Sequence, residues 1–565
     1  MNKYGYIGIT SEVFSCLRTT TASGPQGVVI CNPLGHEHTH SFSTHYCLAE
    51  QLAELNVASI RFDYPGTGNS SSESTTPLAI NRFVDAANQA ANTLLSEVGV
   101  SQVVFFGIRF GALIAGLAAS KVPGSSLIMW NSCPHGKVLV RDLTIMKDAG
   151  PTEADGALNS GGFLYSRKFL DELNELDPRK FDYSGLERVL YIDRKTSPSG
   201  KRLIDHIRST GVPLEHSEIE GYSKMMRRPQ ASIPAQKVLS AIGEWIQTVP
   251  TPTTKPDNTD VAPNTDAENA NSLATLQKPA GECQVLQIPV RNGQSIFGVM
   301  TRATTEQKDR PVVLIPNTGA AHNVGPGYLH VHLCNKLKDI GISTLRIDIS
   351  NLGESIGSKP SSSNDPYPQS LVTNIIDAAN YLKSTMGYSK VAAAGICSGA
   401  YGSFCAASAV QEPLFSNLIL INAEGYLKPP YIVKNETGTQ TSLLSTITIF
   451  CEKAYRVVLR KALGVQNRLA RTLITAGVLR ATKMTRTLGA LYEKKTQVDF
   501  VFSDENNGER LLRNLCAVDL EKLSLDKQMT IHRFLEADHT FSHHAHRAQL
   551  LNAIVEVLSI PQESK

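Results

Sequence analysis

Val391-Ala392-Ala393-Ala394-Gly395-Ile396-Cys397-Ser398-Gly399 is the stretch that decides the fold of this chain. Its apolar first part is typical of a buried strand, and residues 400–410 predict the helix that follows. Gly395 and Gly399 carry no side chains, which a tight turn needs where strand and helix come close together. We therefore predict that Cys397 lies in a strained elbow at the end of a strand, where a nucleophile would stand.

Size and composition limit what the protein can be. A chain of 565 residues exceeds one ordinary hydrophobic core and predicts at least two domains. With 41% hydrophobic and 19% charged residues, no signal-peptide pattern at the start and ten scattered cysteines, we expect a soluble, cytoplasmic protein with reduced thiols. The net charge of +3 indicates no general affinity for nucleic acid.

The chain repeats one plan twice. Residues 249–281 are rich in Pro, Thr, Asn and Asp and predict a flexible linker between domains at 1–248 and 282–565. Each half has an apolar strand, a loop, a helix and a second strand with a shared ending. Four identical residues recur 285 positions apart, as Arg61 and Arg346, Asp63 and Asp348, Gly68 and Gly353, and Ser70 and Ser355. We interpret this agreement as a tandem duplication.

Strands that alternate with helices predict mostly parallel sheets covered by helices on both faces. With an elbow in each half, the chain resembles the α/β-hydrolase superfamily, apart from the linker. The resemblance implies an α/β fold with two tandem hydrolase domains, each a mostly parallel sheet flanked by helices, with helical cap insertions. The ending Asp538-His539-Thr540-Phe541-Ser542 is similar to the histidine loop of serine-aminopeptidase-like members of the superfamily.

The second half has the parts of a catalytic triad in the order that this superfamily uses: nucleophile, acid, histidine. After Cys397, the apolar run 498–502 predicts a strand, and Asp504 in the loop behind it is the expected acid. His539 is the expected base, and it would hold the thiol as a thiolate. Glu505 and Asp499 remain alternatives to Asp504.

An oxyanion hole is expected beside the elbow. Its donors would be the backbone N–H of Ser398 and one from Thr318 or Gly319. Two alternatives stay open at this point: Ser398 could be the nucleophile, and Cys397 could be an inert buried residue.

The first half has lost the triad. Arg109 takes the nucleophile position of its elbow, Gly107-Ile108-Arg109-Phe110-Gly111, and cannot attack a carbonyl because it stays protonated. Asp193 keeps the acid position, whereas Ser223 stands opposite the histidine. We predict a non-catalytic domain in which Arg109 forms an ion pair with Asp193; the alternative is that Arg109 binds a carboxylate or phosphate ligand.

This half also resembles a narrower group. An arginine elbow followed by Gly161-Gly162-Phe163-Leu164-Tyr165-Ser166 is similar to hydrolase-like proteins associated with exosortase A and exopolysaccharide loci. The resemblance implies a surface-polysaccharide or lipid-linked pathway.

A basic cap is predicted at about 425–496. Residues 452–495 hold 11 Lys and Arg against two Glu, with apolar residues interleaved at helical spacing. Four uses remain open: a solvated face, an acidic carrier protein, an anionic membrane surface or an anionic substrate. Sparse aromatic residues disfavour nucleic acid. The histidines at 36–40 and 543–546 lack a known ligand spacing, so we predict neither metal nor cofactor; a homo-oligomer is left open.

A cysteine nucleophile favours acyl transfer, because its acyl-enzyme is a thioester that keeps acyl-transfer potential. Dienelactone hydrolases and polyhydroxyalkanoate synthases, which use cysteine on this fold, resemble the elbow. We expect an acyltransferase or a thioesterase/esterase that uses a Cys-His-Asp triad in lipid, polyketide or surface-polysaccharide biosynthesis. The alternatives are a peptidase or amidase, and a non-catalytic binding or scaffold protein.

Overall fold

A computed structural model describes most of the chain. The described residues are 2–7, 13–20, 24–70, 78–153, 155–195, 200–248, 283–305, 310–355, 364–423, 483–504, 508–509, 512 and 528–559. The predicted linker at 249–281 and most of the predicted cap at 425–496 lie outside them, so the domain boundaries and the uses of the basic segment stay predictions.

The first half forms an eight-stranded sheet in the order β1-β2-β4-β3-β5-β6-β9-β10. Strand β2 runs antiparallel to both of its neighbours, and the other pairs are parallel. Strands β7 and β8 form a separate hairpin. The strands are β1 Asn2–Ile7, β2 Val13–Arg18, β3 Gln26–Cys31, β4 Ala58–Phe62, β5 Gln102–Ile108, β6 Ser126–Trp130, β7 Leu158–Ser160, β8 Phe163–Tyr165, β9 Val189–Asp193 and β10 Leu214–Glu218.

The second half repeats this sheet in the order β11-β12-β14-β13-β15-β16-β17-β18, again with only its second strand antiparallel among the described strands. Two sheets of identical order confirm the predicted fold class and support the interpretation of a duplication. The strands are β11 Cys283–Pro289, β12 Ser295–Thr301, β13 Val312–Ile315, β14 Thr344–Asp348, β15 Val391–Ile396, β16 Asn417–Ile421, β17 Gln497–Ser503 and β18 Met529–Phe534.

Helices cover both faces of each sheet. Alternate residues of β3 point to opposite sides, so Val29 joins one buried cluster and Val28 joins another. The α-helices are α1 His36–Glu54, α2 Ile80–Thr93, α3 Phe110–Ala119, α4 Gly136–Ile145, α5 Arg167–Glu175, α6 Lys201–Ser209, α7 Tyr222–Met225, α8 Gln236–Gln247, α9 Leu329–Asp339, α10 Leu371–Ser384, α11 Ser398–Ala409, α12 Lys483–Glu493 and α13 His544–Ser559. Single turns of other helix types lie at Leu94–Val98, Pro178–Lys180, Pro229–Ala231, Pro326–Tyr328 and Gly353–Ser355.

None of the helices in the described part of the chain is long and apolar enough to cross a membrane.

The two halves contact each other through equivalent residues. Arg61 donates from Nη1 and Nη2 to the two carboxylate oxygens of Glu354, at 2.8 Å each. Arg346, the counterpart of Arg61, donates from Nη1 to Oδ1 of Asn69, the counterpart of Glu354, at 2.9 Å. The contact is therefore pseudo-symmetric, as the isologous interface of a twofold dimer is.

The repeated sequence motif builds this contact. Asp63 accepts the backbone N–H of Asn69 at 2.7 Å, and Asp348 accepts that of Glu354 at 3.0 Å. Gly68 has a φ of +53°, and a Cβ there would overlap the Asp63 carboxylate. Each motif thus folds a turn around its own aspartate and presents a side chain to the arginine of the other half.

Candidate active site

The elbow of the second half is built by β15, α11 and the loop after β13. Cys397 has a φ of 53° and a ψ of −108°, and its N–H donates to the carbonyl of Ile421 at 2.9 Å. A Cβ on Gly399 would lie 2.7 Å from the carbonyl oxygen of Asn317, and one on Gly395 would overlap the backbone of Gly399. Only glycine fits at either position, so the candidate nucleophile is held at the carboxyl edge of the sheet in the left-handed region of φ.

The thiol of Cys397 is half-buried and has three hydrogen-bonding neighbours. Burial is the largest single influence and raises the pKa of the thiol, but hydrogen bonding to the His539 side chain, the charge of that imidazole and the other two neighbours together outweigh it, so the pKa falls below its usual value. The hydroxyl of Tyr367 lies 3.8 Å from Sγ and lowers the pKa further, as does the backbone N–H of Ser398. The surroundings of Cys397 therefore favour the thiolate.

Tyr367 was not found from the sequence. It lies in the loop before α10, in a stretch with no recognisable pattern, and its ring packs edge-on against Tyr401 at 5.7 Å.

Asn422 holds the loop that carries His539, and it too was missed. Its Nδ2 donates to the carbonyl of His539 at 2.7 Å and to Oγ of Ser503 at 3.1 Å. Its Oδ1 accepts the N–H of Ser503 at 2.9 Å. One amide thus ties the end of β17 to the histidine loop. A signal did exist, since asparagine follows the corresponding strand in each half, as Asn422 and Asn131.

The three candidate acids have different positions. Asp504 directly follows β17 and is exposed, so its pairing with His539 stays a prediction. Asp499 is buried inside β17, where its Oδ1 lies 3.1 Å from Nε2 of His532. That partner makes Asp499 unsuitable as the triad acid. Glu505 lies outside the described residues.

The expected oxyanion hole needs one correction. The N–H of Gly319 donates to Oγ of Ser398 at 2.8 Å, so this N–H does not point toward an incoming ligand. Thr318 is buried, and its hydroxyl lies 3.0 Å from Nε2 of His330. The N–H of Ser398 lies beside the thiol, and this N–H and that of Thr318 stay the predicted donors. The side chain of Ser398 is itself buried and accepts a bond from Gly319, which disfavours Ser398 as the nucleophile.

Arg109 occupies an elbow of the same shape in the first half, with a φ of 54° and a ψ of −114°. The predicted ion pair with Asp193 is wrong. Arg109 pairs instead with Glu37 of α1, Nε to Oε1 at 3.1 Å, and with Asp142 of α4, Nη2 to Oδ2 at 2.6 Å. Burial opposes the charge of the guanidinium and is the largest single influence, but the carboxylate of Glu37 and the weaker effects of its other neighbours, including the hydrogen bond to Asp142, together outweigh it and raise the pKa of Arg109. The old nucleophile position is thus filled by a salt-bridge cluster.

The remaining first-half positions carry no catalytic arrangement among the described residues. Asp193 is buried and accepts the backbone N–H groups of Arg194 and Gly200, each at 2.9 Å. Ser223 is exposed on α7. The side-chain Nδ2 and Oδ1 of Asn131, the counterpart of Asn422, have no hydrogen-bond partner among the described residues. The first half thus has an asparagine at the position of Asn422, but no histidine at the position of His539.

Within the described ranges, no three histidine, cysteine or carboxylate side chains converge as metal ligands do.

Comparison with known proteins finds solved structures of similar fold. No family model matches the chain, and no curated protein matches it significantly. Est1E from Butyrivibrio proteoclasticus is 13% identical over 48% of this chain and 97% of its own, with a TM-score of 0.30. A dienelactone hydrolase from Anabaena variabilis is 12% identical over 49% and 96%, with a TM-score of 0.30. A proline iminopeptidase from Mycobacterium smegmatis is 10% identical over 44% and 98%, with a TM-score of 0.29. Similarities this low say nothing about substrate.

Proposed function

We propose that the second half is an acyl-transfer enzyme, an acyltransferase or a thioesterase/esterase, that uses Cys397 as its nucleophile. One observation carries the proposal: a thiol at a strained elbow hydrogen-bonds to His539, and its pKa is lowered although it is half-buried. An inert buried cysteine has the opposite property, as Cys31 illustrates, because burial without a basic partner raises the pKa of its thiol.

In the first step the Cys397 thiolate attacks the carbonyl carbon of an acyl donor. A bond forms between Sγ and that carbon, and the carbonyl oxygen becomes an oxyanion that the N–H of Ser398 can stabilise. When the bond to the leaving group breaks, the leaving thiolate or alkoxide takes the proton from protonated His539. An acyl-Cys397 thioester and a neutral imidazole remain.

In the second step neutral His539 takes a proton from water, an alcohol or an amine, which attacks the thioester carbonyl. The bond between Sγ and the acyl carbon breaks, and the thiolate and protonated imidazole are restored. Asp504 is the proposed acid that orients the imidazole. Water as acceptor makes the enzyme a hydrolase, and an alcohol or amine makes it a transferase.

The test is steady-state turnover of a panel of acyl thioesters, aryl esters and aryl amides. Cys397→Ala should lower kcat/KM at least ~10³-fold, because it removes the group that forms the covalent intermediate. Cys405→Ala is the matched control, because Cys405 is another partly exposed thiol and lies in α11, the helix that follows Cys397. Preference for thioesters and esters supports the proposal, whereas turnover of amides alone would favour the peptidase or amidase alternative. Equal turnover by wild type and Cys397→Ala would contradict a cysteine mechanism.

A further inference from the structure

We propose that the catalytically degenerate first half acts as a brace, whose hairpin β7–β8 holds the His539 loop of the second half in position through Arg547. The inference rests on the proposed function, because it gives the first half a role only if His539 acts on Cys397. Its positioning residue is Arg547, whose side chain donates to backbone carbonyls of the loop and of both halves.

The loop from Glu536 to Ser542 needs outside support, because two of its residues are strained. Glu536 has a φ of 66° and Phe541 a φ of 52°. Asp538 organises the loop from within and accepts the N–H of Thr540 at 2.8 Å and that of Ser542 at 3.0 Å.

Arg547, on the first turns of α13, supports the same loop from outside. Its Nε donates to the carbonyl of Phe541 at 3.3 Å and its Nη2 to that of Ser542 at 3.0 Å. The same guanidinium reaches Gly327 of the second half and Gly162 of the first half, donating to each carbonyl at 2.7 Å. It is buried, and its N–H groups are directed at four carbonyl oxygens, so it serves as a clamp rather than as an anion site.

Two further bonds connect the segment after the loop to the first half. Nε2 of His543 lies 2.9 Å from the carbonyl of Pro151, and Nδ1 accepts the N–H of Ala545 at 3.2 Å. A neutral ring with its proton on Nε2 satisfies both bonds. The N–H of His544 donates to Oδ1 of Asn159, in β7, at 3.1 Å.

The two halves approach each other most closely at Gly162 and Gly327, where a side chain on either residue would crowd the backbone of the other. A Cβ on Gly327 would overlap the carbonyl oxygen of Gly162, and one on Gly162 would lie 3.3 Å from Cα of Gly327. Phe163 packs edge-on against Tyr328, with ring centroids 4.9 Å apart. The stretch that begins with Gly161-Gly162 therefore forms part of the contact between the halves.

Arg109 is connected to the β7–β8 hairpin through helix α4. Arg109 binds Asp142 of α4, and the end of α4 is joined to the hairpin because Ser160 donates from Oγ to the carbonyl of Leu143 at 2.7 Å. The N–H of Gly162 donates to Oδ2 of Asp148 at 2.9 Å. Connected contacts thus lead from the degenerate elbow to the catalytic histidine loop.

Three variants of the full chain test the brace: Arg547→Lys, Gly162→Ala and Glu354→Gln. Gly162→Ala alters the contact from the first half and keeps the inference testable if Arg547→Lys fails to fold. Glu354→Gln is the control, because it weakens the other contact between the halves, with Arg61, without touching the His539 loop. The readouts are kcat, KM and the rate of Cys397 alkylation by iodoacetamide between pH 5 and pH 10.

We expect Arg547→Lys and Gly162→Ala to lower kcat about 10–100-fold with KM nearly unchanged, since misplacement of a catalytic group by about 1 Å has effects of this size. The midpoint of the alkylation profile should rise in both, and it should stay in place in Glu354→Gln. An unchanged midpoint and kcat in both brace variants would overturn the inference and leave the proposed function intact. An equal shift in Glu354→Gln would also overturn it, because general loosening would then explain the effect. An ordinary thiol profile in the wild type would overturn the proposed function and the brace together.

Discussion

Cys397 and Arg109 have the same backbone conformation, with φ of 53° and 54° and ψ of −108° and −114°. Each precedes the first residue of a helix, and each donates its N–H to the carbonyl that ends the neighbouring strand, of Ile421 and of Trp130. Such backbone strain costs about 1–3 kcal/mol, and the fold retains it in both halves. The shape of the elbow is therefore a property of the fold, and the side chain placed on it decides whether chemistry is possible.

His539→Gln tests the basis of thiol activation. Without the imidazole, the partners that remain are Tyr367 and the N–H of Ser398, while burial still raises the pKa of Cys397. The midpoint of Cys397 alkylation should then move up toward or beyond roughly 8.5, the value of a free cysteine. Because the reactive thiolate forms as pH rises through this pKa, the alkylation rate at pH 7 should fall at least ~10-fold. A midpoint identical to that of the wild type would contradict the assignment of His539.

Tyr367→Phe should have a smaller effect in the same direction. It removes the hydroxyl 3.8 Å from Sγ and keeps the ring that packs on Tyr401. Loss of one hydrogen bond to the thiolate predicts a ~2–10-fold lower alkylation rate at pH 7. Tyr381→Phe, a half-buried tyrosine of α10, is the control and should leave the rate unchanged. Equal behaviour of the two variants would remove Tyr367 from the site.

Asn422→Ala and Asn131→Ala form a matched pair, because the two asparagines follow equivalent strands with φ of 48° and 47°. Asn422→Ala loses the bonds to His539 and Ser503, which predicts a cost of about 1–3 kcal/mol in the free energy of unfolding and at least ~10-fold in kcat. Asn131→Ala loses no hydrogen bond formed within the described residues, so kcat should not change. Similar losses in both variants would mean that the backbone strain, and not the amide, matters.

Local patterns predicted the elbow and the sheets, because a tight turn and a buried strand depend on neighbouring residues. The apolar run that begins at Val391 is strand β15, and the one at 498–502 is β17 extended by one residue at each end. The partners of Arg109 could not be predicted in this way. Glu37 and Asp142 lie 72 and 33 positions away, and tertiary packing alone brings them to the elbow.

The same limit explains the other differences from expectation. The bond between Gly319 and Ser398 depends on how two loops 79 positions apart fold together. The stretch from Gly161 to Ser166 suggested a narrow family resemblance, whereas its contacts join the halves, with Arg547 reaching it across 385 positions. Contacts between residues so far apart in the chain leave no pattern in the local sequence.

His322, whose ring stacks on that of Phe42 of the first half with centroids 4.4 Å apart, should make the folded protein less stable in acid. Burial lowers the pKa of His322 well below its ordinary value, and the charges of His38, Arg346 and Arg61 lower it further. A histidine with a depressed pKa contributes stability above its unfolded pKa of roughly 6.5, and this stability is lost as pH falls. Asp63 acts in the opposite direction, because burial raises its pKa to about 7.

The contribution of His322 can be separated from that of Asp63 by comparing how the free energy of unfolding changes with pH in the wild type and in a His322 variant. Between pH 7 and pH 5, the wild type should lose about 2 kcal/mol more of its free energy of unfolding than His322→Gln does, which chemical denaturation at each pH measures. His135→Gln is the control, because the side chain of His135 is partly exposed. Parallel pH dependences of wild type and His322→Gln would show that His322 is not held neutral in the folded protein.

The most direct test of a cysteine mechanism is to find the acyl group on the protein. The full chain is incubated with a short-chain acyl thioester, quenched in acid and examined by intact mass and peptide mapping. We expect one acyl group per chain, on Cys397, which is absent from Cys397→Ala and still present in Cys405→Ala. An acyl group on Ser398 or Cys405, or none at all while Cys397 reacts readily with iodoacetamide, would contradict it.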